Sequence, residues 1–257
     1  MHAEIDGVRA KGACRSGTQR KLSVVHCIVG SIALSAASCH QVQAMEADDP
    51  TLAMVKIDQL EWRERDGPDA AYFEDEGWVG RDLNKLWFKG EYEQSDGSTE
   101  EAEVQALYSR GITPFWDAQV GFREDFKPEP SRSWLALGFQ GLAPYWFETS
   151  TVLFIGESGR TAFRLEAEYE ILFTQRLILS PELEINAYGK NDEDTGTGSG
   201  LSDAEFGLRL RYEIRREFAP YIGINWYKKY GNTADFAREE GEGVSDTALV
   251  IGIRAWF

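Results

Sequence analysis

Alternation of apolar and polar residues with a period of two recurs along this chain and constrains its fold more than any other feature. Residues 204–216, AEFGLRLRYEIRR, place Leu208 and Leu210 on one side of an extended backbone and Arg209 and Arg211 on the other. Successive side chains of a strand point to opposite faces, so the pattern predicts strands with one apolar and one charged face. Similar segments run near 83–93, 101–110, 115–124, 133–141, 146–156, 162–172, 177–188, 218–229 and 246–257.

Two architectures use such strands, a soluble sandwich with its apolar faces inward and an outer-membrane barrel with its apolar faces toward lipid. Three features favour the barrel. The segments have the length that crosses a bilayer at a tilt, short and long connections alternate, and tryptophans cluster at segment ends as in an interfacial girdle. These tryptophans are Trp87, Trp116, Trp146, Trp226 and Trp256. The fold class predicted is therefore an all-β, transmembrane antiparallel β-barrel.

The strand count depends on the N-terminal part of the pattern. Ten strands are counted from Asp82 to Phe257, and residues 54–64 and 71–80 add a hairpin whose acidic residues fall on both faces. The prediction is a barrel of 12 strands, because a closed antiparallel barrel with both ends on one side needs an even number. The alternative is 10 strands, with the N-terminal hairpin outside the barrel or plugging it.

The first 44 residues have the order of a secretory signal. Arg20 and Lys21 precede an apolar stretch, residues 22–38, and small residues end the segment at Ala44. Cleavage before Cys39, as in a lipoprotein, is the alternative. The predicted organisation is a signal peptide at 1–44, a short periplasmic N-terminal segment at 45–53, and the barrel at 54–257.

Composition excludes several functional classes. The formal net charge of −16 argues against nucleic acid as a partner, and the absence of a long apolar run after the N-terminal segment excludes a helical membrane bundle. Every histidine and cysteine lies before residue 45, so the mature chain lacks a Ser–His pair and a thiol nucleophile. We therefore predict that the protein is not an enzyme, which disfavours a lipid-modifying activity. These residues are His2, His26, His40, Cys14, Cys27 and Cys39.

Charged residues of both signs share the predicted inner faces. Glutamates at 166, 168, 182 and 184 alternate along two strands, and basic residues occupy the corresponding face of their neighbours. This arrangement predicts an ion-pair lattice in the lumen, which satisfies a polar interior. The basic residues expected in the lattice are Lys89, Arg164, Arg209 and Arg211.

Longer motifs resemble a known family. The segments IDQLEWRERDGPDAAYFEDEGWVGRDLNKLWFKGEYE (57–93), LYSRGITPFWDAQVGFRED (107–125), APYWFE and LEAEYEILFTQRLILSPELEINAYG are similar to the copper-resistance protein B family of outer-membrane proteins. The resemblance covers essentially the whole mature chain. It implies a barrel in the outer membrane of a Gram-negative bacterium, a role in copper tolerance, and periplasmic copper-binding proteins as partners.

One departure from the family bears on copper. Many members carry a segment rich in Met and His before the barrel, whereas Met45 and Met54 are the only methionines after residue 44 here. Copper, the cofactor that the resemblance implies, would then contact Met54 and carboxylates. A period of two places Met54 and Asp58 on one face of their strand and Glu61 on the other. The candidate metal ligands are Met54, Asp58, Glu61, Asp82, Asp117 and Glu148.

Two further partners follow from a barrel of this type. The outer face is expected to contact outer-membrane lipid and lipopolysaccharide. The terminal aromatic, Phe257, resembles the signal that the barrel-assembly machinery reads. The leading hypothesis is a barrel that binds or passes copper ions across the outer membrane. The alternative is a structural or general cation-interacting barrel, with a lumen sealed by ion pairs and no copper specificity.

Overall fold

The computed structural model describes residues 49–257, and the predicted signal peptide lies outside this range. Nearly all of the described chain forms one antiparallel sheet. Its strands are β1 (Leu52–Glu64), β2 (Ala70–Gly80), β3 (Asn84–Ser95), β4 (Ser98–Thr113), β5 (Trp116–Lys127), β6 (Arg132–Ala143), β7 (Phe147–Gly156), β8 (Thr161–Glu168), β9 (Ile171–Leu172), β10 (Leu177–Tyr188), β11 (Gly200–Tyr212), β12 (Phe218–Lys229) and β13 (Ser245–Trp256).

The sheet closes on itself. Each long strand pairs with its neighbours in the chain, and β1 pairs with β13, so that Glu61 lies opposite Gly252. The two-residue strand β9 follows β8 after a short interruption and pairs only with β10. The result is a closed barrel of twelve long strands, as predicted. The alternative of ten strands is wrong, because β1 and β2 are consecutive members of the wall.

The two faces of the wall have opposite character. Large apolar side chains point outward along every long strand, and Ile251, Ile222 and Phe122 are 67%, 61% and 70% exposed. Charged side chains such as Arg209 and Glu61 point inward and are buried. An apolar outside with a polar inside is the arrangement of a membrane barrel and the reverse of a sandwich, so the alternation predicted the correct fold.

A β-bulge in β1 changes which residues face inward. Ile57 pairs with Asp75 and Gln59 pairs with Glu74, which leaves Asp58 as an extra residue between two regular segments. Because a bulge inserts one residue, the alternation changes phase at this point. The strict period of two was therefore wrong beyond Asp58, and both Asp58 and Glu61 face the lumen.

The barrel has two different ends. We call one the turn end, because it carries the short connections 81–83, 114–115, 144–146, 173–176 and 213–217. The other is the loop end, which carries the connections 65–69, 96–97, 128–131, 157–160, 189–199 and 230–244. The longest connections at the loop end follow β10 and β12, so the two longest loops lie on the same side of the barrel rim.

A helix not predicted from the sequence lies in the last of these loops. The helix α1, Gly231–Glu240, packs Thr233, Ala234 and Ala237 inward. The Thr233 hydroxyl accepts a hydrogen bond from the Gly198 amide at 2.8 Å and lies 2.9 Å from the Ser202 hydroxyl. A Cβ atom on Gly198 would lie 2.2 Å from the Thr233 nitrogen, so only glycine permits this contact. Among the described residues, no helix is long and apolar enough to cross a membrane.

Candidate functional site: the lumen of the barrel

One side of the lumen is apolar. Trp87, Leu107, Trp134, Val152 and Phe154 pack together from four strands between β3 and β7, with Trp78 and Tyr188 at the edge. The Trp78 and Trp87 rings lie 6.3 Å apart. Trp87 was predicted to belong to an outward aromatic girdle, and that prediction is wrong. It points inward because its position on β3 shares the face of the lumen-lining Lys89 and Glu91.

The opposite side is bridged by ion pairs. The Arg209 guanidinium on β11 lies 2.6 Å from Glu61 on β1 and 2.7 Å from Glu182 on β10. Arg209 also donates a hydrogen bond to the side-chain oxygen of Gln59 at 2.7 Å. Glu61 forms a second ion pair, with Arg63 at 2.9 Å. Strands β11 and β1 are separated by two others, so the Arg209–Glu61 pair spans the lumen.

A second group of ion pairs lies nearer the turn end. Asp58 contacts Arg254 at 2.9 Å and Lys56 at 2.6 Å. Arg254 also contacts Glu168 at 3.0 Å, while Arg211 pairs with Glu170. The predicted lattice of Arg209, Arg211 and the glutamates of β8 and β10 is therefore present, and Asp58 is part of it.

The loop half of the lumen contains a group of three carboxylates. Oxygens of Glu91, Glu101 and Glu103 lie within 4.8 Å of one another, the one such group of potential metal ligands found in residues 49–257. Arg164 reaches Glu103 at 3.1 Å and Glu91 at 3.4 Å, and Arg123 reaches Glu103 at 2.7 Å. These three glutamates were not among the predicted ligands. Their inward direction followed from alternation, but their proximity depends on a register shift after Glu93 that the sequence does not display.

The six predicted metal ligands do not form one cluster. Asp58 and Glu61 are engaged in the ion pairs described above. Asp82 lies in the exposed turn between β2 and β3, where its amide donates to Asp49 at 3.2 Å. Asp117 accepts from the Ser109 hydroxyl at 3.1 Å.

Met54 and Glu148 are the two remaining predicted ligands. They are the third residue of β1 and the second residue of β7, both near the turn end. By alternation along their strands, each faces the lumen, as Asp117 does on β5. The structure therefore brings several of the predicted ligands to the same end of the barrel but on separate strands.

The lumen encloses two small cavities. One of about 70 Å³ lies at the loop end and is lined by Arg132, Trp134, Arg160 and Tyr188, among others. The other, of about 20 Å³, lies among Asp58, Glu168, Glu182, Arg209 and Arg254. A water molecule requires roughly 10–15 Å³ of such space, so the second cavity accommodates about one.

Comparison with known proteins finds relatives of a single family that match the barrel sequence. The family model described as copper resistance protein B precursor (CopB) matches residues 51–257. Copper resistance protein B of Escherichia coli is 48% identical over 204 residues, covering 79% of this chain and 69% of that protein. A copper resistance protein B homolog of Pseudomonas syringae pv. tomato is 49% identical over 220 residues, covering 86% and 74%.

Two porins are among the solved structures similar to this chain. The NanC porin aligns with a TM-score of 0.54 and 13% identity, covering 78% of this chain and 98% of the porin. The KdgM porin aligns with a TM-score of 0.50 and 13% identity, covering 79% and 98%. At this level of identity the likeness supports the barrel fold alone, whereas the match over residues 51–257 extends across nearly all of the described sequence. This chain therefore belongs to the copper resistance protein B family.

Proposed function

We propose that this protein resides in the outer membrane and contributes to copper resistance by binding copper ions in its lumen or passing them across the membrane. Family membership supports the link to copper. The observation that carries the proposal is the charge of the lumen, where the carboxylates engaged in ion pairs outnumber the arginines and lysines that pair with them. A channel lined by one sign of charge concentrates ions of the opposite sign. We propose that copper is cargo here, and that the barrel has no catalytic role.

The proposed orientation places the turn end in the periplasm and the loop end outside the cell. Short turns on the periplasmic side and longer loops outside are typical of outer-membrane barrels, and the outward apolar residues then contact lipid and lipopolysaccharide. Met54, Asp82, Asp117 and Glu148 would meet copper delivered by periplasmic copper-binding proteins at the turn end. Met54 is the soft ligand of this group and suits Cu(I), while the carboxylates suit harder ions.

Copper binding tests this proposal directly. Neutralising Glu101 removes a carboxylate for which no ion pair is found among the described residues, so Glu101→Gln should leave the barrel intact. We expect it to weaken copper binding about tenfold, or roughly 1.4 kcal/mol. Met54→Leu, which conserves volume, should weaken Cu(I) binding with little effect on Cu(II). Titration of the folded protein with each ion, followed by measurement of metal content, provides the readout.

Glu100→Gln is the matched control, because Glu100 precedes Glu101 on β4 but points outward and is exposed. It changes the net charge by the same amount outside the lumen. Equal copper binding by the wild type, Glu101→Gln and Met54→Leu would remove both residues from the proposal. If the wild type also bound no copper, the copper function itself would be rejected.

A sealed barrel with no copper specificity is the second candidate, and one observation favours it. Arg209 and Arg164 form ion pairs across the lumen between strands that are not adjacent, and the tryptophan-rich cluster occupies the other side. Conductance in planar bilayers separates the two candidates. Cation-selective current through the purified barrel supports passage, whereas the absence of current in copper, sodium and potassium salts supports the sealed barrel.

We further propose that the barrel-assembly machinery recognises the C-terminal aromatic. The Phe257 amide donates to the Val55 carbonyl at 2.8 Å, and the Val55 amide donates to the Phe257 carbonyl at 3.1 Å. Both bonds involve backbone atoms, and the ring itself is 77% exposed. Phe257→Asp should therefore fold in detergent nearly as well as the wild type but fail to insert in cells.

The aromatic control is Phe257→Tyr, which should insert normally. Heat-modifiable mobility on semi-native gels reports folding in detergent and in isolated outer membranes. Normal insertion of Phe257→Asp in cells would show that this residue is not the recognition signal.

A further inference from the structure

The cavity at the loop end has an unusual charge for this protein. Its lining includes five basic side chains and three acidic ones, although the whole chain carries a net charge of −16. We call it the loop-end cavity. Its basic residues are Arg123, Lys127, Arg132, Arg160 and Lys190, and its acidic residues are Glu101, Asp125 and Asp192.

Two of these basic groups, Arg132 and Arg160, share a single buried carboxylate. The Asp192 carboxylate accepts two hydrogen bonds from Arg132, at 2.9 and 3.1 Å, and forms an ion pair with Arg160 at 3.0 Å. Asp194 reaches Arg132 only at 3.7 Å, and its side chain is 73% exposed. The Lys190 ammonium donates to the carbonyl of Ser158 at 2.8 Å, a neutral acceptor. Arg160 therefore shares its one carboxylate with Arg132, and no carboxylate lies within ion-pair distance of Lys190 among the described residues.

The other basic groups of the cavity have acidic partners. Arg123 lies 2.7 Å from Glu103 and 2.5 Å from Asp125, and Lys127 pairs with Glu129 at 2.6 Å. Arg160 and Lys190, where β8 begins and β10 ends, are thus the basic groups of the cavity with the fewest acidic partners.

The backbone holds these two groups together. A hydrogen bond of 2.8 Å from the Gly189 amide to the Thr161 carbonyl joins the two strand ends. Gly159 has φ +69° in the tight turn before Arg160, and a Cβ atom there would lie 3.4 Å from the Lys190 nitrogen. Glycine thus provides both the backbone conformation and the close approach of the ammonium group.

The remaining lining suits a polar ligand. The hydroxyls of Thr195 and Thr197 border the cavity, and the Trp134 and Tyr188 rings form an edge-to-face pair with centroids 6.4 Å apart. The volume of about 70 Å³ exceeds that of several waters and accommodates a tetrahedral oxyanion. Arg and Lys donors with free hydrogens are the groups that proteins use to bind phosphate.

We propose that the loop-end cavity binds a phosphate group through Arg160 and Lys190, independently of copper. The phosphate is either free in solution or carried by a membrane lipid. Because the chemistry of recognition is the same in both cases, the two sources are separated by experiment.

Phosphate binding is tested on the purified, folded protein in zwitterionic detergent without added metal. Inorganic phosphate is titrated by calorimetry against sodium chloride of equal ionic strength. In a second arm, the protein is placed in nanodiscs of phosphatidylcholine alone or with phosphatidic acid, and its thermal unfolding is measured. The variants Arg160→Gln and Lys190→Gln are compared with Lys228→Gln, an exposed lysine at the same end but outside the cavity.

Each result supports or overturns the proposal. Calorimetric binding of phosphate that weakens at least tenfold in Arg160→Gln and Lys190→Gln, but not in Lys228→Gln, supports a site for free phosphate. Stabilisation by phosphatidic acid alone, lost in the same two variants, supports a site for lipid phosphate. Absence of an effect in both arms, or equal effects in all three variants, overturns the proposal. Heat-modifiable mobility confirms that each variant is folded, since Asp192 retains Arg132 when Arg160 is replaced.

Discussion

Ile251→Arg is expected to destabilise the barrel by about 2–4 kcal/mol in a bilayer, because a cation near the membrane midplane is poorly solvated. Ile251 lies near the middle of β13, points outward and is 67% exposed. Urea unfolding of the protein in phosphatidylcholine vesicles measures the change in free energy.

Thr247→Arg is the control for depth in the membrane. Thr247 shares the strand and the outward face of Ile251 but lies toward the loop end, where the expected cost falls to roughly 0–1 kcal/mol. Equal costs at the two positions would contradict a lipid-facing outer surface.

Arg209→Met is expected to cost about 3–5 kcal/mol, the loss found when one partner of a buried ion pair is removed. The Glu61 side chain is fully buried beside Arg209 at 2.6 Å, and Glu182 loses its partner at the same time. Adding Glu61→Gln should recover part of this loss, because it removes a buried charge that Arg63 alone then compensates. Unfolding of the two single variants and the double variant gives the coupling energy of the pair.

An exposed ion pair provides the comparison. Lys229 and Glu242 are 2.9 Å apart at the loop end, and the Glu242 side chain is 56% exposed. Glu242→Gln should change stability by less than about 1 kcal/mol. If Arg209→Met cost no more than this, the ion pairs would not be what stabilises the interior of the barrel.

The strands of the barrel wall could be predicted because the alternation that defines them depends only on neighbouring residues. Leu208 and Arg209 are neighbours in sequence, and a strand sends them to opposite faces whatever the rest of the chain does. Repetition of that pattern along the chain predicted the number of strands. Because the apolar residues of each segment lie on one face, the pattern also indicated a membrane barrel. The ion-pair lattice followed in outline, since charges of both signs must share the interior.

The candidate site was harder to predict because it depends on one-residue irregularities. The bulge at Asp58 changes the direction of Glu61, and the register shift after Glu93 brings Glu91 opposite Glu103. The bulge leaves only a break in the alternation, where Ile57 and Leu60 are three residues apart, and the register shift lies among polar residues. Neither was identified from the hydropathy pattern. The direction of Trp87 was missed for a related reason, since tryptophan is suited both to an outer girdle and to a packed interior.

The structure of the loop end was not predicted because it depends on contacts between segments that are far apart in the sequence. Residues 230–244 are rich in charge and glycine, which is typical of a loop, yet α1 forms there by packing Thr233 against Gly198 and Ser202. The cluster around Asp192 likewise joins residues from β6, the β7–β8 connection and the β10–β11 loop. Contacts between segments so far apart in sequence leave no periodic signal in any one of them.

The pairing of β1 with β13 determines which parts of the chain stay exposed until the barrel closes. Val55 precedes Phe257 by about 200 residues in the sequence, yet their backbones bond to each other, and contacts between residues so far apart form slowly. Until the ring closes, the first strand has a free hydrogen-bonding edge and the chain carries apolar faces that nothing yet covers. Such edges template aggregation, so closure of the ring is the step that removes this risk from the folding chain.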